Sequence, residues 1–123
     1  MLFAGPLIAT NLADMGAEII KIEHPKGDVV RGLGDSSLWW SVVARNKKLV
    51  GVDVKKPEGA DVVRRLLATA DVFIENFRPG RVKEWALDYD TLREINPGLV
   101  MLHVSGYGQT GPYSKRPGVG TLA

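Results

Sequence analysis

The segment Asp71-Val-Phe-Ile-Glu-Asn-Phe-Arg-Pro-Gly80 decides the fold, because the apolar run Val72, Phe73 and Ile74 passes straight into a polar loop closed by proline and glycine. A short unbroken apolar run bounded by turn residues reads as a strand covered on both faces in a parallel sheet. The pattern recurs downstream, where Leu99–Val104 runs into Ser105-Gly-Tyr-Gly-Gln-Thr-Gly-Pro-Tyr113. In both loops glycine removes the side chain that would keep a ligand off the backbone, so two such loops on adjacent strands build a binding crevice.

The same reading extends along the rest of the chain. Pro6 suits a first helical turn, Ile8, Leu12 and Met15 recur at helical spacing, and Gly16 suits the left-handed residue that closes the helix. Ile20-Lys-Ile-Glu23 alternates as a strand, with Ile20 and Ile22 on one face and Lys21 and Glu23 on the other. Pro25 to Asp35 reads as a loop that a local ion pair of Asp28 and Arg31 could equally organise, and no functional role is assigned to either. Ser36 and Ser37 then cap a short helix whose Trp39 and Trp40 fill a core or an interface, or stack on an aromatic ligand. Leu49 to Val54 is a strand, and Pro57 opens a helix with Val62, Val63, Leu66 and Leu67 inward and Arg64 and Arg65 outward. Asp90 caps a helix ending at Ile95, and Asn96-Pro97-Gly98 turns the chain into the strand Leu99–Val104. Strands alternating with helices on short connections give an α/β, Rossmann-like parallel sheet with flanking helices and ligand loops at the carboxyl ends of the strands.

Composition narrows the function classes. The 123 residues are 45% hydrophobic and 24% charged, the balance of a globular domain, and a chain of this length holds one domain or part of one. The 16 basic and 14 acidic residues are interleaved, which argues against nucleic acid, whose phosphate backbone demands a concentrated positive patch. With no cysteine there is neither a disulfide framework nor a thiolate nucleophile, and His24 and His103 lack metal-ligand spacing and read as structural histidines, so no metal site is expected. Met1 to Ala17 lacks a basic leading region and an Ala-x-Ala site, and no apolar run is long enough to span a membrane, so the expected location is the cytoplasm.

Gly106-Tyr-Gly-Gln-Thr-Gly111 matches the dinucleotide pattern G-x-G-x-x-G. That fingerprint needs a helix opening at once to present its amino end to a pyrophosphate, and Pro112, Ser114, Pro117, Gly118 and Gly120 forbid one. A nicotinamide or flavin site is therefore disfavoured.

The two loops, taken with Ala4-Gly-Pro6, Leu12-Ala-Asp-Met-Gly-Ala17, Ile20-Lys-Ile-Glu23, Arg45-Asn-Lys-Lys48 and Lys56-Pro-Glu-Gly59, resemble the class III CoA-transferase family in order from Ala4 to Gly118. The resemblance implies that residues 1–123 are the partial amino-terminal CoA-binding domain of a larger enzyme, with the family's first strand preceding Met1 and its carboxy-terminal part following Ala123. A sheet lacking that strand would expose an edge and be poorly stable alone. The resemblance further implies that Val52, Asp53, Val54 and Lys55, with Asn76, Phe77 and Arg78, contact the nucleotide portion of CoA, and that Leu2, Gly118 and Val119 line it. Read physically, Lys55 and Arg78 carry phosphate-directed charge and Phe77 an apolar face; without the resemblance Phe77 would read as core and Lys55 as a solvated charge.

In the family an aspartate attacks the acyl-CoA thioester, and no carboxylate of this chain matches it, so no catalytic residue is assigned here. The glycine loop is expected near the acyl end of CoA, with backbone N–H groups placed for an oxyanion. The resemblance implies acyl-CoA and carboxylic acid substrates, no metal or redox cofactor, and a homodimeric parent. Val119-Gly120 replaces the His-Asp pair of the related α-methylacyl-CoA racemases, which favours transferase over racemase chemistry. A non-catalytic CoA- or nucleotide-binding module is the other alternative.

Overall fold

The computed structural model describes residues 3–33 and 36–118. Two compact units emerge, Leu2–Asp53 and Val54–Ala123. Among the described residues the strands form two parallel pairs, one in each unit.

In the first unit, helix α1 (Ala4–Asp14) leads into strand β1 (Ile19–Glu23), then a 3-10 turn at Val29–Gly32, helix α2 (Ser36–Ala44) and strand β2 (Lys47–Gly51). Gly16, at φ 99°, closes α1 as expected, because that left-handed conformation costs glycine nothing. β1 and β2 pair in parallel from Ile19 opposite Lys47 to Glu23 opposite Gly51. Strand β2 thus begins and ends earlier than Leu49–Val54. Ala13, Val30 and Val43 form the buried apolar core, joined by Thr10.

The Ile20 position on β1 is not a buried one. Ile20 is 40% exposed, whereas the Lys21 side chain is largely covered because it pairs with Asp28 and lies 5.4 Å from the centre of the Trp40 ring. Asp28 therefore pairs with Lys21 and not with Arg31, and its side chain also accepts from the Val30 N–H at 2.9 Å to cap the 3-10 turn. Burial pushes the Asp28 carboxyl up, but the bonds from Lys21 and Val30 outweigh it and hold the group below its ordinary range. Arg31 turns instead to Glu23, at 2.9 Å, and lies 3.7 Å from the centre of the Trp40 ring. The tryptophans do not form a buried core: Trp39 is 50% exposed and packs at 5.3 Å on Phe3. The Ser36 and Ser37 side chains lie outside the described residues.

The Arg45-Asn-Lys-Lys48 motif acts as a set of clamps. Arg45 and Asn46 both donate to the Asp14 carboxylate, at 2.5 Å and 2.9 Å, with Asn46 in the left-handed region at φ 57°. Lys47 reaches back to α1 and α2, where its Nζ donates to Pro6 O, Thr10 Oγ1 and Val43 O at 2.6, 2.8 and 2.6 Å.

The second unit contains helix α3 (Pro57–Leu67), strand β3 (Val72–Glu75), the short helix α4 (Arg81–Glu84), helix α5 (Tyr89–Ile95) and strand β4 (Val100–His103). Pro57 occupies the first turn of α3, where its missing N–H costs nothing. Ala60, Val63 and Leu67 of this helix are buried, together with Val82, Leu87, Leu92 and Leu99. Arg64 is not wholly outward, since its guanidinium donates to Trp85 O at 3.3 Å. Asn96 Nδ2 donates to Leu67 O and Ala70 O at 3.0 and 2.8 Å, tying the exit of α3 to the turn before β4.

The cap of α5 is Asp88, not Asp90: Asp88 accepts from the Thr91 N–H at 3.4 Å and from its hydroxyl at 2.9 Å. Asp90 sits inside the first turn, where its charge favours the helix dipole without making the cap. Asp88→Ala is expected to cost about 1 kcal/mol, seen as a lower midpoint in thermal unfolding, whereas Asp90→Ala should cost a few tenths.

β3 and β4 pair in parallel, Val72 opposite Val100 through Glu75 opposite His103. Here the expectation that both faces of β3 are covered fails in an informative way. Val72 is 44% exposed, and the most buried residue of the strand is Glu75, at 5%. A buried carboxylate is tolerated only when it is well bonded, and Glu75 is.

Candidate functional site

Parallel pairing of β3 and β4 brings their carboxyl ends side by side, so the loops that follow them open at the same edge. The cleft between these loops, about 120 Å³, is lined by Asn76–Pro79 after β3, by Val104–Gly106 after β4, and by Ser114 and Arg116–Gly118 from the returning segment. Phe77, Arg78 and Pro79 also border a more open groove of about 580 Å³ shared with Arg81 and Lys115.

Local chemistry explains each wall. Phe77 is held edge-on to Trp85, with ring centres 5.0 Å apart, yet is itself 45% exposed, so it is a cleft wall and not core. From Val104 to Gly118 the described residues make bends and turns, so no helix opens directly behind Gly106-Tyr-Gly-Gln-Thr-Gly111. Gly108 and Gly111 take φ values of 81° and 90°, conformations that admit glycine readily. Arg116 lies 4.2 Å from the centre of the Tyr113 ring, and Tyr113 meets Tyr107 edge to face at 5.9 Å, so a cation and two rings order this loop. Gly118 passes so close to Gly106 that a Cβ there would stand 2.7 Å from Gly106 Cα.

Of the positions expected to contact a ligand, the structure brings together Asn76, Phe77, Arg78 and Gly118. Val54 and Lys55 belong to the same unit but stand in the turn before α3 and do not line this cleft. Val52 and Asp53 follow β2 in the other unit, where the Val52 N–H donates to Glu23 O at 2.8 Å and Asp53 lies 3.8 Å from His24 Nε2. Leu2 and Val119 fall outside the described residues.

Sequence reasoning missed Lys115 and Arg116, although two adjacent cations behind a Gly-Pro turn were a usable signal. Arg81, which borders the groove, is tied to Glu84 at 2.7 Å. Also missed was the Glu75–His103 pair beneath the cleft, in which Glu75 Oε1 meets His103 Nδ1 while Oε2 accepts from the Phe77 N–H at 2.7 Å. Its signal was that the two polar residues end matching apolar runs. Both histidines have partners: His24 Nδ1 accepts from the Lys26 N–H at 3.1 Å. Among the described residues no cluster of histidine, aspartate and glutamate has the makings of a metal site, and no helix is long and apolar enough to cross a membrane.

Comparison with known proteins gives the arrangement its context. A family model described as CoA-transferase family III matches residues 1–123. The chain is 49% identical over 125 residues to a succinyl-CoA–D-citramalate CoA-transferase of Chloroflexus aurantiacus, covering 97% of this chain and 31% of that protein. It is 41% identical over 126 residues to the human succinyl-CoA:glutarate CoA-transferase, covering 98% of this chain and 29% of the relative. A crystal structure of a CaiB/BaiF family protein from Brucella suis superposes with a TM-score of 0.94 at 38% identity, over 98% of this chain and 34% of that one. The chain thus spans about a third of the length of the relatives it matches, and it has their α/β fold. On the family match over residues 1–123, this chain belongs to CoA-transferase family III.

Proposed function

We propose that the chain forms the CoA-binding part of an enzyme that moves CoA from an acyl-CoA to a free carboxylic acid. The observation that carries this reading is the cleft itself: the loops after two paired parallel strands place the exposed Phe77 ring beside Arg78 and Arg116, in a chain of this family. The guanidinium fork matches phosphate geometry, and an exposed ring offers a face for an adenine. Val52–Lys55, Leu2 and Val119 complete the contacts in this reading, with Lys55 directed to a phosphate.

The reaction this site serves starts with an aspartate outside these 123 residues. Its carboxylate attacks the thioester carbonyl and expels the CoA thiolate, leaving an acyl-aspartyl anhydride. The thiolate attacks the aspartyl carbonyl, releasing the original acid and forming an enzyme thioester of CoA. The incoming carboxylate then attacks that thioester, and the returning thiolate takes the new acyl group, which restores the aspartate. Backbone N–H groups of the Gly106–Gly111 loop stabilise the oxyanion formed at each attack. The scheme uses no metal or redox cofactor, and the working enzyme is a cytoplasmic homodimer. Succinyl-CoA is the donor class to try first, because the relatives named above carry it in their names.

Calorimetric titration of the full-length protein with CoA and with pantetheine tests the binding half. CoA should bind and pantetheine, lacking the nucleotide phosphates, should not; equal affinity for both, or none for either, overturns the reading. Arg78→Gln is expected to weaken CoA about tenfold by removing one charge-assisted phosphate contact. Exchange between succinyl-CoA and a panel of dicarboxylic acids, followed by mass spectrometry, tests the chemistry.

A further inference from the structure

We infer that Glu75 is the positioning residue of the cleft, and that it sets ligand affinity by holding the loops after β3 and β4 in one fixed relation. Three bonds converge on it. Its Oε2 accepts from the Phe77 N–H at 2.7 Å, two residues along the first loop. Its Oε1 takes the imidazole Nδ1 of His103, the in-register residue of β4. Its backbone oxygen accepts from the Val104 N–H at 2.9 Å, the first residue of the second loop.

A carboxylate can only accept, so the geometry puts the proton on His103 Nδ1 and fixes the tautomer of that ring. Asn76–Pro79, directly after Glu75, and Val104–Gly106, directly after His103, both line the cleft. Simple strand stability does not account for a glutamate here. Burying a carboxylate is costly, and an apolar residue would suit the sheet better, whereas a planar side chain with two hydrogen-bonding atoms at its tip binds an N–H of one loop and the imidazole of the neighbouring strand together.

The inference rests on the proposal that this cleft takes CoA, and the test separates the two. In the full-length protein, hydrogen exchange of the Phe77 amide, CoA affinity and the ¹⁵N shifts of the His103 ring are compared for wild type, Glu75→Ala and Glu75→Gln. Glu75→Ala should speed Phe77 exchange and weaken CoA, each about tenfold. Glu75→Gln keeps both bonds, since its carbonyl oxygen accepts from Phe77 and its amide donates to Nδ1. It should retain affinity and protection while moving the His103 proton from Nδ1 to Nε2. A merely space-filling role would leave the tautomer unmoved.

Wild-type exchange and affinity in Glu75→Ala overturn the inference, as does an unchanged His103 ring in Glu75→Gln; the latter decides the matter if the alanine variant fails to fold. Wild type that does not bind CoA overturns the CoA reading alone, and the exchange pattern still decides whether Glu75 holds the loop.

Discussion

Lys47→Met is expected to destabilise the protein by about 2–3 kcal/mol at neutral pH, the largest loss from any single polar contact described here. The Lys47 ammonium serves three acceptors at once, Pro6 O, Thr10 Oγ1 and Val43 O. Val43 O belongs to the last turn of α2, whose carbonyls have no partner within the helix. Thr10 is only 1% exposed, so water cannot replace the lysine there. Methionine matches the length of the stem and supplies no donor, so the loss reads as unpaired acceptors and not as a cavity. Relief of the buried charge offsets part of it, which is why the figure is below the sum for three orphaned groups.

The pH dependence has a definite sign. Burial, with repulsion from Lys21 and Arg45, lowers the Lys47 pKa from 10.5 to about 8, and Asp14 opposes this only in part. Between those values the unfolded chain holds the proton more tightly than the folded one, so stability from this group rises as pH climbs from about 8 toward 10.5. The gap between the unfolding midpoints of wild type and Lys47→Met should therefore widen from pH 7 to pH 9.5. A gap that narrows over that range, or no gap at neutral pH, would show that Lys47 is not the clamp.

Gly118→Ala should weaken CoA binding about tenfold and also lower the thermal midpoint, since the added Cβ strains the folded protein with or without ligand. The added Cβ would stand 2.7 Å from Gly106 Cα and 3.2 Å from Gly106 N. Backbone atoms cannot rotate away as a side chain would, so one wall of the cleft must move. Such overpacking costs about 1–3 kcal/mol of folded-state stability, and the displaced wall loses part of its contact with the ligand. Titration calorimetry beside a thermal melt separates the two effects, and unaltered affinity in a folded variant would remove Gly118 from the cleft wall.

Much of the fold was legible because the governing signals are local. Pro57 at the start of α3, the left-handed Gly16 after α1 and the strands beginning near Ile20, Val72 and Leu99 follow from backbone constraints and apolar spacing that need no knowledge of the rest of the chain. Partner choice was not local. Asp28 has Arg31 three residues away and takes Lys21 instead; Asp90 looks like a cap and Asp88 is one. In each case the winner is decided by where the backbone aims the side chain.

The candidate site divides along the same line. The sequence alone determined the family, the α/β class and two glycine- and proline-rich loops behind apolar strands, since these depend on residue order and intrinsic conformational preference. Only the tertiary structure decided that Asn76–Arg78 and Gly118 share one cleft with Arg116, that Glu75 lies beneath it bound to His103, and that Lys47 joins two helices. Those facts depend on strand register and through-space distance. A charged side chain is written identically in a sequence whether it is solvated or buried, and only the partners that folding brings within hydrogen-bond reach determine which it becomes.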